Sequence, residues 1–170
     1  NSKQVIRLLN LNKFKSFLPI DAVIMAGGKG KRLLPLTTSI PKPLIKVGGI
    51  PIIEHNINLI KSYGIENFKF SLGYLSNKLI KFLTKKKYDI LNFMYAIETK
   101  PLGTIGGLKL FNDFQNNSIF IINSDILTNI NIENFYKNFI DNDADISVAT
   151  IPHKISIPFA VIEKLNNSVV

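Results

Sequence analysis

Between residues 27 and 46 the chain sets Gly27, Gly28 and Gly30 among Lys29, Lys31 and Arg32, with Lys42 and Lys46 further on. Glycine tolerates positive φ and lets backbone N–H groups approach a ligand closely. Successive N–H groups in such a loop make a concave anion site, and cations at its rim add charge. These residue types point to a polyphosphate cradle. Arg32 is informative by its rarity. Of the 21 basic residues only Arg7 and Arg32 are arginine, which suggests a need at Arg32 for the bidentate fork on phosphate. Pro35, Pro41 and Pro43 forbid a regular helix and predict an extended segment that returns Lys42 and Lys46 to the glycine loop. Two further clusters carry chemistry. Pro101, Gly103, Gly106 and Gly107 surround Thr104, and Asn123-Ser124-Asp125 ends an apolar run. A lone aspartate there is usually a turn former or helix cap. One carboxylate is also enough for Mg²⁺, which shares its coordination with phosphate and water.

Other glycine-loop chemistries fit less well. A dinucleotide fingerprint, G-x-G-x-x-G opening a helix, begins at Gly28-x-Gly30 but meets Leu33 at its third glycine and Pro35 inside its helix. A Walker A loop needs G-x-x-x-x-G-K-[ST]. Gly30-Lys31 has Met25 in place of the first glycine and Arg32 in place of the hydroxyl residue. The bland alternatives are a tight surface turn with solvated lysines for the glycine loop and a helix N-cap for Thr104.

The elements that must position these residues follow from periodicity. Ala22–Ala26 has the length and branching of a buried strand. Pro51 suits the first position of a helix whose Ile53, Ile57 and Ile60 share a face and which Gly64 stops. Phe68, Phe70 and Leu72 alternate as a strand, a helix is expected over about 75–84, and Leu91, Phe93 and Tyr95 alternate again. A helix near 104–111, a strand at Ile119–Ile122, a helix near 132–140 and strands at Asp145–Ala149 and Ile157–Glu163 complete the order. Strands alternating with helices imply an α/β fold, with a mostly parallel sheet and helices on both faces. Ligands of such sheets lie at the carboxyl ends of the strands. The glycine loop, Glu98–Gly107 and Asn123–Asp125 each follow an expected strand and should meet there.

The chain has 170 residues, 46% of them hydrophobic, enough for one domain with a substantial core. Residues 1–20 carry four cations and no acid and read as a basic linker or tail, leaving 21–170 as the domain. The formal net charge is +9. No helix-turn-helix, zinc or RNP-like pattern accompanies it, so nucleic acid is not an expected partner, and small anionic substrates account for the useful charge equally well. Without cysteine there is no disulfide framework and no thiolate metal site. No apolar stretch approaches the roughly 18 residues of a transmembrane helix. A signal peptide is not expected, and a cytoplasmic location is. Homo-oligomerisation is left open. His55 and His153 are expected to be structural or exposed.

The glycine loop and its sequel, Gly27-Gly28-Lys29-Gly30-Lys31-Arg32-Leu33-Leu34-Pro35-Leu36-Thr37 followed by Pro41-Lys42-Pro43-Leu44, resemble the signature of the sugar-1-phosphate nucleotidyltransferases. Pro101-Leu102-Gly103-Thr104-Ile105-Gly106 is similar to that family's P-L-G-T-A-G segment, and Ser124-Asp125 to its metal-binding pair. The likeness covers about 21–165 and is greatest to the nucleotidyltransferase domains that follow paired CBS domains in some bacteria. It implies a Rossmann-like three-layer sandwich of the nucleotide-diphospho-sugar transferase type. It also implies transfer of a nucleotidyl group from an NTP, GTP favoured, to a sugar-1-phosphate with release of pyrophosphate. Carried over by position, Arg32 would grip the β- and γ-phosphates and Lys42 the developing charge at the α-phosphate. Gly27, Gly28, Gly30, Lys31, Gly103 and Thr104 would hold the nucleotide, and Asp125 would hold Mg²⁺. The chain departs from the family pattern at Ala160, where the family has glycine near the sugar. The family's second metal-binding aspartate is expected beyond Val170, so these residues are expected to bind NTP–Mg²⁺ and to make little NDP-sugar by themselves. The alternative is a non-catalytic nucleotide-binding or regulatory fragment.

Overall fold

A computed structural model describes residues 16–85, 88, 92–152, 164–166 and 168–169. Four parallel strands form the main sheet: β1 (Ile20–Ala26), β4 (Asn67–Leu72), β5 (Asn92–Ile97) and β6 (Ser118–Asn123), in the spatial order β5-β4-β1-β6. Between β1 and β4 the chain makes a two-stranded ribbon, β2 (Lys46–Val47) and β3 (Ile50–Pro51), and then helix α1 (Ile52–Lys61). Helix α2 (Ser76–Leu83) links β4 to β5, and α3 (Ile132–Asp141) follows β6. A short ribbon, β7 (Lys164–Leu165) with β8 (Ser168–Val169), comes last.

The register places Ala22 beside Phe68 and Phe120, and Ile24 beside Phe70 and Ile122. These residues share one face with Ala26 and Leu72 and pack against Ile53, Ile57 and Ile60 of α1, Leu79, Phe82 and Leu83 of α2, and Ile132 of α3. The helical face pattern read from the sequence is therefore the pattern that is buried. Pro51 stands one position earlier than expected, as the residue that caps α1. Asn131 caps α3 by accepting the Asn134 N–H at 3.0 Å. Gly64 adopts φ +69, and a Cβ there would lie 2.5 Å from the Phe17 ring, so residues just ahead of β1 pack onto the turn after α1. Leu18 N–H also donates to the Tyr63 carbonyl, and β1 itself starts at Ile20.

The opposite face is thinner. Val23 and Met25 pack there with Phe111, Leu108 and Phe114. The expected helix near 104–111 is a 3-10 helix confined to Gly106–Leu110. Gly107 explains its close seat. A Cβ on it would fall 2.2 Å from Ser71 Oγ, and glycine that permits such an approach does not favour a full α-helical turn. Lys69 and Ser71 alternate with the core residues of β4, yet both are buried, because a central parallel strand is covered on both faces. The Lys69 ammonium donates to the Asp113 carbonyl and lies 4.9 Å from the centre of the Phe114 ring.

Two further expectations are corrected. Asp145–Ala149 is not a strand: its backbone is irregular, with Ile146 76% and Val148 73% exposed. Alternation alone does not make a strand without a partner to complete its hydrogen bonds, and among the described residues β6 is the last strand of the sheet on that side. The prolines do not hold an extended segment. Lys31–Leu33, Leu36–Thr38 and Lys42–Leu44 are successive 3-10 turns, which the fixed φ of proline accommodates. The strand expected at Ile157–Glu163, together with Ala160, His153 and residues 1–15, lies outside the described residues. No helix among the described residues is long and apolar enough to cross a membrane.

Candidate functional site

The carboxyl ends of β1, β4, β5 and β6 open into a cleft of about 940 Å³. Of the residues singled out for binding or catalysis, Gly27, Gly28, Gly30, Lys31, Arg32, Lys42, Gly103, Thr104 and Asp125 line it. Asn123 and Ser124 line it as well. Lys46 does not, because the β2–β3 ribbon carries it away as an exposed residue.

The glycine loop is built in layers. The Gly27 carbonyl accepts Tyr74 N–H at 3.2 Å, and a Cβ on Gly73 would stand 2.5 Å from that same oxygen. Two loops, after β1 and after β4, are thus in backbone contact. Gly28 differs: a Cβ there would meet nothing within 4 Å, so its smallness serves access to the cleft rather than packing. Gly30 turns the chain at φ +63, and its carbonyl accepts Thr37 Oγ1 at 3.0 Å and Leu33 N at 2.9 Å. The turn sends Lys31 and Arg32 to the rim, both exposed. A Cβ on Gly30 would be 3.2 Å from Lys42 Cβ, so the base of the Lys42 side chain rests against the loop.

Across the cleft, Ser124 N–H donates to the Met25 carbonyl at 2.9 Å and ties the end of β6 to β1. Asp125 follows, and its Oδ2 accepts the Lys42 ammonium in an ion pair. The third wall is the loop after β5. Gly103 has φ +83 with open space at its Cα, so only glycine takes that backbone without strain. Thr104 is not the cap of the 3-10 helix; Ile105 occupies that position.

Sequence reasoning missed Glu98 and Tyr74. The Glu98 carboxylate accepts Ser71 Oγ at 2.6 Å and Leu102 N–H at 3.2 Å, and it lies where a Cβ on Gly27 would come within 2.7 Å. It therefore braces the loop after β5 against the glycine loop. Tyr74 donates its hydroxyl to the Thr38 carbonyl at 3.1 Å. The signal for Glu98, a charge at the very end of a strand, gains meaning only once β4 lies beside β5.

A parallel α/β sheet whose strand-end loops form a cationic, glycine-lined cleft has the architecture in which ligands lie at the carboxyl ends of the strands. The nucleotidyl transferase family profile matches residues 21–167, and the chain belongs to that family. It is 37% identical over 113 residues to the mannose-1-phosphate guanyltransferase of Saccharomyces cerevisiae, covering 64% of this chain and 31% of that protein. The chain thus spans about a third of the length of the curated relatives it matches. Among solved structures, a Bacillus anthracis protein assigned as a glucose-1-phosphate thymidylyltransferase superposes with a TM-score of 0.64 at 27% identity, over 72% of this chain and 50% of that one. HddC from Yersinia pseudotuberculosis, solved with GMP-PN, superposes with a TM-score of 0.59 at 28% identity, over 74% and 55%. The fold is that of the nucleotide-diphospho-sugar transferases.

Proposed function

We propose that these residues form the nucleotide-binding part of a sugar-1-phosphate nucleotidyltransferase. A phosphate oxygen of the sugar-1-phosphate attacks the α-phosphorus of an NTP in line. The bond from that phosphorus to the bridging oxygen breaks, and pyrophosphate leaves with the electron pair. No covalent enzyme intermediate is required, so positioning and charge neutralisation are the protein's work. The observation that carries the reading is the convergence of three separate glycine- or aspartate-bearing loops on one cleft rimmed by Lys29, Lys31, Arg32, Lys42 and Lys100.

Arg32 holds the β- and γ-phosphates and Lys42 neutralises charge developing at the α-phosphate. The backbone at Gly27, Gly28 and Gly30, with Lys31, cradles the phosphates, and Gly103 and Thr104 face the base. Asp125 is the proposed Mg²⁺ ligand. Its carboxylate opens into the cleft and already accepts a cation. Among the described residues no group of three or more His, Asp or Glu could hold a metal unaided, which suits an ion shared with phosphate oxygens. When bound, Mg²⁺ would supply a neutralising charge on the triphosphate. GTP is the favoured nucleotide, supported by the guanyltransferase relatives and by the GMP-PN in HddC. The location is proposed to be cytoplasmic, and nucleic acid is not a proposed partner.

Isothermal titration with GTP, UTP, CTP, dTTP and ATP in the presence of Mg²⁺ tests the binding half, with GTP expected to bind tightest. A panel of these nucleotides against sugar-1-phosphates, read by pyrophosphate release, tests the chemistry in a chain extended to the length of the relatives. Absence of binding to every NTP would overturn the reading. Binding without turnover in the extended chain would favour the non-catalytic alternative.

A further inference from the structure

Lys42 and Asp125 reach the cleft from different walls, Lys42 from the 3-10 turn Lys42–Leu44 and Asp125 from the loop after β6. They meet in an ion pair through Asp125 Oδ2, with 33% and 30% of the two side chains exposed. Resting on the assignment of Asp125 as metal ligand, we propose that Lys42 is a built-in competitor for the metal at that carboxylate. Metal and polyphosphate are then admitted together rather than singly.

The ammonium takes up acceptor capacity of the Asp125 carboxylate, and it repels a divalent cation brought to the same group. A metal that arrives alone therefore binds against that repulsion, which is relieved when Lys42 leaves. The side chain is suited to leaving. Its Cβ and Cδ rest near Gly30, where a glycine Cβ would lie 3.2 and 3.5 Å from them. The ammonium at its end is a compact point charge on a flexible stem. It can exchange one oxyanion, the carboxylate, for another, a phosphate held by the glycine loop. No bond is made or broken and no proton moves. A pair a third exposed is also weak enough to exchange readily; a fully buried pair would leave an uncompensated charge behind.

Linkage fixes the consequence. Lys42 lowers the affinity of Asp125 for a metal that arrives alone. A polyphosphate that draws the ammonium away removes that penalty, and by reciprocity the metal strengthens polyphosphate binding by the same factor. The residue assigned to neutralise the α-phosphate thus guards the metal site until its proper partner arrives.

The test is Mn²⁺ titration of the nucleotide-free protein, with free Mn²⁺ read by electron paramagnetic resonance. Lys42→Met keeps the stem and removes the charge, and it is expected to bind Mn²⁺ about two- to fivefold tighter than wild type. Adding Asp125→Asn to that variant should erase the gain. Lys100→Met removes another cation of the same cleft and should give a clearly smaller change, which separates contact from the general field. If Lys42→Met does not fold by circular dichroism, Lys42→Gln replaces it. Equal or weaker Mn²⁺ binding in the Lys42 variant, or an equal gain in Lys100→Met, overturns the competition. A separate arm with GTP present examines the assignment beneath it. If Asp125→Asn leaves GTP-dependent Mn²⁺ binding unchanged, the metal assignment fails and the competition with it. If that dependence holds while the Lys42 gain is missing, the competition alone fails.

Discussion

At the scale of single residues, the cleft separates groups that act on a ligand from groups that hold the loops. Arg32 is proposed to be of the first kind: it is exposed at the rim, on a turn set by Gly30. A planar fork matched to phosphate is not replaced by a point charge. Arg32→Lys is therefore expected to weaken GTP binding by about 1.5–3 kcal/mol, the range for hydrogen bonds to charged groups. Isothermal titration measures it, and wild-type affinity in this variant would remove Arg32 from the phosphate site. Asp125 allows a sharper separation. As a metal ligand it should give, in Asp125→Asn, a protein that GTP still stabilises but that gains no further melting temperature on adding Mg²⁺. As a turn residue it should give lower stability with the Mg²⁺ response kept. Asp125 itself and its pairing with Lys42 were not equally legible. Asp125 stands at the end of an apolar run and is read at once, whereas its contact with Lys42, 83 positions away, exists only after β6 has been laid beside β1.

At the scale of elements, glycines at neighbouring positions do opposite jobs. Gly28 faces open space, while Gly73 is pressed onto the Gly27 carbonyl. Gly28→Ala should leave the melting temperature close to wild type yet weaken GTP binding, because the added methyl occupies the cleft. Gly73→Ala forces two loops apart and should cost about 1–3 kcal/mol of stability, the usual range for overpacking. Thermal melts and titrations on the pair separate the roles, and equal stability losses in both would show that Gly28 also packs. Such distinctions mark where sequence reading ends. The strand at Ala22–Ala26 and the helices around Ile53–Ile60 and 132–140 were legible because apolar periodicity is local. The glycine loop was legible because its residue types are unusual at that density. Residues 104–111 and Asp145–Ala149 were misread for a shared reason. Their local pattern was right for a helix and a strand, but Ser71 sets how closely Gly107 must approach, and nothing described pairs with the outer edge of β6. Glu98 was missed because its partners, Ser71 and Leu102, come from two other segments.

At the scale of the whole molecule, charge is the property that composition shows and only the fold can interpret. A formal charge of +9 would suit nucleic acid if it were spread along a helix or strand surface. Five of the cations, Lys29, Lys31, Arg32, Lys42 and Lys100, ring one concave cleft that also contains the carboxylates Glu98 and Asp125. Low-dielectric walls focus such a field and raise the local concentration of a small polyanion. Lys137, by contrast, lies on α3, is paired with Glu133 at 3.0 Å and does not line the cleft. Lys100→Glu should therefore weaken GTP binding several-fold at low salt, and the deficit should shrink as added salt shortens the screening length from about 10 Å at 0.1 M to about 3 Å at 1 M. Lys137→Glu makes the same change in net charge and should leave affinity nearly unchanged at every salt concentration. Titrations of both variants across that range measure the difference. If the two lose affinity equally, net charge rather than its focusing in the cleft governs binding, and an ordinary duplex should then compete with GTP for the protein.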